Sequence, residues 1–222
     1  MAPEMLIALL WKGLLQTIHM VVVSGVVGTL IGLPMGVFLA TSNRGELFPA
    51  PTVNKIVGVI VNATRSTPFI IMVVAIIPFT RLVAGTSIGT TAAIVPLTIA
   101  TIPFVARLIE SSIREVDKGL IEAARAMGAT PMQIVIKVLL PEALPSIVLA
   151  LTLTLVSLVG YSAMVGAVGG GGLGDLGIRY GYQRFMPDVM LAVVVVLIIV
   201  VQAIQSAGDA LARRFDKRTR KN

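Results

Sequence analysis

The chain consists of long apolar runs separated by short polar segments. Five runs reach about the 20 residues that an α-helix needs to cross the hydrocarbon core of a bilayer. The pattern therefore predicts an all-α polytopic membrane protein, with five transmembrane helices in a single transmembrane domain over residues 1–222. The predicted spans are residues 17–40, 57–79, 88–108, 147–168 and 189–207.

Three further features of the apolar pattern carry separate predictions. Residues 5–15, with Trp11, are predicted to lie along the outer membrane interface as a short amphipathic helix. Four prolines are expected to kink the second and third spans, because proline removes a backbone donor from the helix. They are Pro68, Pro78, Pro96 and Pro103. The glycine-rich run at residues 169–177, after the fourth span, is typical of a flexible segment on the outer side.

The composition agrees with a membrane class. Hydrophobic residues make up 56% of the chain and charged residues 13%, and the mean hydropathy is +0.94. Soluble domains carry about twice that charged fraction, so we expect membrane lipid to be the surrounding partner. The absence of cysteine excludes disulfides and thiolate metal sites. The net charge of +7 is compatible with nucleic-acid binding, but its uneven distribution favours topology as the cause.

The basic residues predict the orientation of the chain. Thirteen of them follow the first, third and fifth spans, against four on the opposite side. Because cytoplasmic segments are enriched in Lys and Arg, the N-terminus is predicted outside, with residues 109–146 and the tail in the cytoplasm. The larger group comprises Arg44, Lys55, Arg107, Arg114, Lys118, Arg125, Lys137, Arg213, Arg214, Lys217, Arg218, Arg220 and Lys221.

The most polar long stretch, residues 118–145, has the sequence signals of two short helices. Its first part consists of good helix formers, and Gly128 stands where a C-terminal cap is expected. Thr130 is a predicted N-cap, Pro131 suits the first helical position, and Gln133 completes a capping box. We therefore predict a rigid helix–turn–helix in the cytoplasm.

Two prolines are expected to bound the second of these helices. Pro141 is predicted to end it, and Pro145 to open the fourth span. The first helix presents Ala123, Ala124 and Ala126, small residues that allow another surface to approach closely. A docking element is favoured over a plain connector, since a connector needs no such caps.

The helix–turn–helix also carries a motif at fixed spacing. Its residues are Glu122, Ala123, Ala124, Gly128, Val138, Leu140 and Pro141. This motif resembles the EAA loop of ABC-type importer permeases, in which EAA is followed by G and then I-x-LP. The only departure is valine in place of isoleucine. The resemblance implies that this segment, between the third and fourth spans, is a cytoplasmic coupling loop that fits a groove on a separate ATPase subunit.

Longer segments resemble the methionine-import permease subfamily. They are "RSTPFII" (65–71), "IPFTRLVAGTSIG" (77–89), "AAIVPLTIATIPFVARLIE" (92–110) and "GYSAMVGAVGGGGLGDLGIRYGY" (160–182). The resemblance implies a bacterial inner-membrane permease that forms a homodimer and pairs with two ATPase subunits. An extracytoplasmic lipoprotein would deliver methionine, in its D- and L-forms, for alternating-access import.

No nucleotide-binding motif is evident in the chain. A P-loop needs Gly-Lys before Ser or Thr, and no lysine here follows a glycine. We therefore expect a non-enzymatic subunit without a cofactor of its own, with ATP bound by the partner subunit.

The fourth span carries a polar stripe that is a candidate solute pathway. Thr154, Ser157, Tyr161 and Met164 share one helical face, and Ser162 adjoins them. Lipid-facing helices avoid hydroxyl groups, so this face is predicted to meet protein or a water-filled path. Helix–helix hydrogen bonding is the open alternative, and the family resemblance favours a gate.

Small residues recur every four positions in the first span, at Ser24, Gly28, Gly32 and Gly36. Such a ridge lets helices pack backbone to backbone. Packing within the protomer is favoured over packing between two copies.

Three other functions remain open from the residues. The same machine could carry another amino acid or small solute. An ion-coupled secondary transporter is disfavoured because no acidic or histidine relay is evident within the spans. An enzyme of membrane lipids would need a catalytic cluster, and none stands out.

Overall fold

The structure, a computed structural model, describes residues 3–215 and is helical with short connections. Two π-helical segments, Val135–Leu139 and Gly177–Tyr182, interrupt the α-helical chain. The tail residues Lys217, Arg218, Arg220 and Lys221 lie outside the described residues. The α-helices are α1 (Pro3–Thr41), α2 (Pro51–Ser66), α3 (Phe69–Ala75), α4 (Ile77–Ala84), α5 (Thr90–Arg114), α6 (Lys118–Ala126), α7 (Pro131–Ile134), α8 (Leu140–Ala167), α9 (Gly172–Leu176) and α10 (Pro187–Phe215).

Among the described residues, four helices are long and apolar enough to cross a membrane. These are α1, α5, the continuous helix Pro131–Ala167 and α10. Counting α2 and α3 as one broken span gives five, with a bend of 102° between the two helices. The all-helical class is confirmed, and the number of spans is four or five.

The second predicted span, residues 57–79, was wrong as a continuous helix. It is divided between α2, α3 and α4. The first break lies at Pro68, which confirms the effect predicted for this residue: the position before a proline disfavours the α conformation. The prediction of a separate interfacial helix at residues 5–15 was also wrong, because α1 runs unbroken from Pro3 to Thr41.

The predicted stop at Pro141 was wrong as well, and Pro145 does not open a helix. One helical path runs from Pro131 to Ala167 through both prolines. The π-helical segment Val135–Leu139 directly precedes Pro141, and the N–H of Leu140 donates to the carbonyl of Val135, five residues back. A widened turn at this place accommodates a proline ring that would clash with the carbonyl four residues earlier in a regular α-helix.

The chain forms two compact units, to both of which α1, α5, α8 and α10 contribute. The first unit comprises residues 1–28, 67–101 and 154–205, and the second comprises 29–66, 102–153 and 206–222. The main core of the second unit joins α5, α6 and the start of α8 through apolar side chains that are almost fully buried. They include Ile109, Ile113, Val116, Ala124, Ile134, Leu139, Ala143 and Ile147.

Packing within the protomer is confirmed for two glycines of the small-residue ridge. A β-carbon at Gly32 would lie 2.8 Å from the carbonyl oxygen of Ile102 on α5. A β-carbon at Gly36 would lie 2.6 Å from the carbonyl oxygen of Ala106. Only residues without a side chain allow α1 and α5 to approach this closely in the second unit.

Candidate functional sites: a docking loop and a polar helix face

The capping signals of the loop after α5 are confirmed. The side chain of Asp117 caps α6 by accepting from the N–H of Gly119 at 2.7 Å. Gly128 has a φ of +80°, the left-handed conformation that glycine adopts at no steric cost after a helix. The Thr130 hydroxyl accepts from the N–H of Gln133 at 3.4 Å. In return, the Gln133 side chain accepts from the N–H of Thr130 at 2.9 Å, which completes the capping box.

The motif residues divide between the surface and the core. Ala124 is buried, and its methyl group packs in the core of the second unit. Glu122 and Ala123 are exposed on α6, and the side chain of Met127 is 81% exposed. Three other apolar side chains on this helix–turn–helix are also exposed: Leu120, Met132 and Ile136.

The rest of the motif holds this element in place. Val138 and Leu140 are half-buried and pack against the same core, whereas Pro141 is exposed within the continuous helix. Because α6 is fixed through Ala124 and the π-helical segment through Leu139, the exposed face is presented by a packed element. The structure therefore places all seven motif residues on one rigid element of the second unit.

A cleft of about 430 Å³ opens beside α6 in the second unit. Its walls come from the segment after α1, the end of α5 and the exposed side of α6. Side chains of both charges line the cleft: the carboxylates of Glu46 and Glu122, and the cations of Lys118 and Arg125. The sequence did not predict that residues 40–47 line this cleft, because nothing in their pattern relates them to α6, some 70 positions further along the chain.

The polar stripe of α8 changes from buried to exposed along its length. Thr154 is buried, Ser157 and Tyr161 are half-buried, and Met164 is 48% exposed. Ser162 is buried and donates a hydrogen bond to the carbonyl of Val159 at 2.7 Å, within its own helix. Ser162 thus lies off the stripe, while the other four residues share one helical face whose exposure rises from Thr154 to Met164.

Tyr161 has an aromatic partner within the first unit. Its ring stacks on Phe69, the first residue of α3, with the ring centroids 4.5 Å apart. The adjacent Gly160 is exposed, and a β-carbon there would meet nothing within 4 Å. The sequence suggested Tyr161 as a gate residue but offered no signal for its partner.

The glycine run after α8 is tightly packed, so the interpretation as a flexible segment was wrong. Gly172 has a φ of +79°, and its N–H donates to the side chain of Gln16 at 3.0 Å. The Thr17 hydroxyl accepts from the N–H of Leu173 at 2.9 Å. A β-carbon at Gly174 would overlap the backbone of Ala163. These glycines allow close backbone approach within the first unit.

The following turn carries paired charges. The Asp175 carboxylate accepts from the Arg179 guanidinium one helical turn away. This hydrogen bond, together with the carboxylate charge, raises the pKa of Arg179 above its ordinary value. The Arg184 guanidinium lies 4.6 Å from the centroid of the Tyr180 ring, within cation–π range.

The sequence did not predict a polar network on α5. Arg107 was considered there only as one of the basic residues that indicate the orientation of the chain. Its guanidinium pairs with Glu110 on the same helix and donates to Asn62 and to the carbonyl of Gly58, both on α2. Glu110 is buried, and its other oxygen accepts from Arg114 at 2.7 Å.

Taken together, the long apolar helices define a polytopic helical membrane protein. Residues 32–221 match the family described as the binding-protein-dependent transport system inner membrane component, and the chain belongs to that family. The resemblance drawn from the sequence is thereby confirmed.

Individual relatives indicate the transported solute more specifically than the family does. The chain is 59% identical, over 203 residues, to the probable D-methionine transport system permease protein MetI of Vibrio cholerae, covering 91% of this chain and 90% of that protein. It is 55% identical over 163 residues to the D-methionine permease protein MetI of Escherichia coli, covering 73% and 75% of the two chains.

Solved structures agree with these relatives. The fold matches a chain of the MetNI methionine ABC transporter in an inward-facing conformation, with a TM-score of 0.95 and 53% identity. The match covers 98% of this chain and 100% of that one. An amino acid ABC transporter matches with a TM-score of 0.78 at 21% identity, which supports the fold alone.

Proposed function

We propose that the chain is the membrane-spanning permease subunit of an ATP-driven ABC importer that carries methionine, in its D- and L-forms, into the cytoplasm. The observation that carries this proposal is the 59% identity over 91% of the chain to a D-methionine permease protein. Identity at this level over nearly the whole length leaves little room for a different solute site.

The active unit in this proposal is a homodimer with two cytoplasmic ATPase subunits. A binding lipoprotein delivers the solute on the outer side of the bacterial inner membrane. The uneven distribution of Lys and Arg supports an outer N-terminus and a cytoplasmic C-terminus. With this orientation, α6 and the cleft beside it face the cytoplasm.

The exposed side of α6 is the surface proposed to meet the ATPase. Glu122, Ala123 and Met127 supply a charge, a close-approach position and an adaptable apolar contact. ATP binding draws the two motor subunits together and the attached α6 elements with them, which opens the pathway outward; hydrolysis reverses the movement. ATP binding can shift this equilibrium only through its different affinities for the two states, and the free energy of hydrolysis drives the cycle in one direction.

The graded stripe on α8 is the proposed pathway face. Ser157 and Tyr161 are half-buried and Met164 is exposed, so this face is accessible along most of its length. A thioether is polarizable and contacts aromatic rings favourably, so Tyr161 and Met164 suit the side chain of methionine. The buried Thr154 and Ser162 support this face from within the protomer.

The decisive experiment is reconstitution with the chain's own ATPase subunit and binding protein in vesicles. We expect ATP-dependent accumulation of labelled D- and L-methionine, and stimulation of ATP hydrolysis by the loaded binding protein. Leucine serves as the control solute. Accumulation that persists without the ATPase subunit would contradict the ABC mechanism, and preference for another solute would contradict the assigned substrate.

A further inference from the structure

The second helix of the chain, α2, has little apolar packing to hold it within the protomer. Only Gly58 and Val61 are buried along its 16 residues. Val61 contacts a small cluster with Leu39 and Ala106, to which Val57 adds a half-buried side chain. Polar contacts must therefore contribute a large share of what fixes α2 on its neighbours.

Two side chains supply those polar contacts. Asn54 of α2 donates to the carbonyl of Leu39 at 2.9 Å and to the hydroxyl of Ser42 at 2.8 Å. Arg107 supplies the contacts between α2 and α5.

The Nε of Arg107 donates to the side-chain oxygen of Asn62 at 3.1 Å. One terminal nitrogen donates to the carbonyl of Gly58 at 3.2 Å. The other pairs with Glu110, so all three nitrogens of the guanidinium are engaged. The two acceptors on α2 are four residues apart, which places them on the same helical face.

Glu110 fixes the direction of this guanidinium. Its side chain is 7% exposed and bridges Arg107 and Arg114, so the carboxylate is paired with both cations. A second contact lies one helical turn along α2, where the Arg65 guanidinium is 6.0 Å from the centroid of the Phe104 ring. The planar fork of arginine meets three acceptors at once, and lysine has a single nitrogen in its place.

The helix that carries Arg107 is rigidly attached to the docking element. Ile109 and Ile113, near the end of α5, and Val116, which follows it, pack in one core with Ala124 of α6. A displacement of α6 therefore moves the end of α5 with it, since a close-packed core does not deform gradually. Beyond α2, the chain reaches Phe69, the stacking partner of Tyr161, within three residues of Ser66.

We propose that Arg107 is a positioning residue for transport, which makes α2 move together with α5 when the ATPase displaces α6. Through the contacts of Arg107 with α2, the movement is transmitted to the break between α2 and α3. The inference rests on the proposed function and deepens it, because it names the residue that carries movement from the docking surface towards the gate. Nothing in the resemblance to the family assigns this role.

The test uses the complete transporter in vesicles, and its readout is the number of methionine molecules imported per ATP hydrolysed. A structural role alone would reduce the amount of intact complex, lowering both rates in proportion and leaving the ratio unchanged. We expect Arg107→Lys and Asn62→Ala each to lower the ratio at least about fivefold, the lower end of typical coupling effects. Hydrolysis itself continues, because its active site lies on the partner subunit.

Two matched variants make the test specific. Arg114→Lys changes the other arginine bound to Glu110. Because the ion pair of Arg114 lies within α5, this variant should leave the ratio as in the wild type. Asn62→Asp keeps an acceptor for the guanidinium and should retain at least half of the wild-type ratio. Adding Asn62→Ala to Arg107→Lys should lower the ratio no further than Arg107→Lys alone, because the lysine variant has already lost the contact with Asn62.

The outcomes separate the two claims. Unchanged ratios in Arg107→Lys and Asn62→Ala, with normal import by the wild type, would overturn the inference and leave the proposed function intact. An equal loss in Arg114→Lys would overturn it too, since charge around Glu110 would then matter instead of the link to α2. Absence of ATP-driven methionine import by the wild type would contradict the proposed function itself and, with it, the inference.

Discussion

Phe69 and Tyr161 stack with an angle of 19° between their ring planes. Phe69 follows Pro68 directly and begins α3, whereas Tyr161 lies on α8, and both belong to the first unit. Such a stack contributes about 0.5–1.5 kcal/mol beyond the burial of the rings. The orientation of the proposed gate residue is therefore tied to the break in the second span.

Loss of the stack should loosen the gate. Phe69→Leu keeps an apolar side chain and removes the ring, at a cost of about 1 kcal/mol. We expect faster ATP-independent leakage of labelled methionine from preloaded vesicles, while Phe69→Tyr, which preserves the stack, should leak like the wild type. Equal leakage from all three proteins would show that the stack does not control the pathway.

Charge reversal on α6 should uncouple the transporter. Glu122→Lys places a cation at the centre of the proposed docking surface, and methionine uptake should fall at least about tenfold, equivalent to 1.4 kcal/mol of lost coupling. Glu142→Lys makes the same charge change at an exposed residue beyond α6 and should leave uptake near normal. Co-purification of the ATPase subunit measures docking directly. Normal uptake by Glu122→Lys would remove α6 from the mechanism.

The capping box predicts a stability effect in the same element. Thr130→Ala removes the hydroxyl that accepts from Gln133 and should cost about 1 kcal/mol. Thr130→Ser retains the acceptor and should cost much less. The thermal unfolding midpoint of the purified permease measures both, and a midpoint for Thr130→Ala equal to that of the wild type would contradict the cap.

Two glycines should respond in opposite ways to alanine. Gly174→Ala forces a β-carbon against the backbone of Ala163, so we expect a loss of about 1–3 kcal/mol. Gly160→Ala lies in helical backbone beside open space and should stabilise by about 0.5–1 kcal/mol. Thermal midpoints of the two variants test this contrast. Equal effects would mean that neither position is constrained as described.

Local sequence signals predicted local structure well. The caps at Thr130 and Gly128 depend on residues three or fewer positions away, so the capping residues can be recognised from the sequence. The helical character of the apolar runs follows from their length alone. The roles assigned to the motif residues and to the α8 stripe stay predictions, since they concern contacts with other molecules.

Long-range contacts could not be predicted from the same signals. Arg107 reaches an acceptor 45 positions away, and Leu173 one 156 positions away. No periodic pattern in the sequence predicts either of these hydrogen-bonded pairs. The prediction for Pro141 was wrong for a related reason. Proline locally favours a helix end, but the π-helical turn immediately before Pro141 lets the helix continue. Buried residues on both sides of the proline stabilise this continuous helix.

The π-helical turn at Val135–Leu139 also sets the angular phase of everything that follows. Each residue of an α-helix advances by about 100°, so one residue added or removed here turns α8 by that amount relative to α7. Ala143 and Ile147, now in the core, would then point elsewhere. The packing of α8 thus depends on the number of residues between Thr130 and Ala143 as well as on their identity. A relative with an insertion or deletion in this segment would place α8 at a different angle to α7.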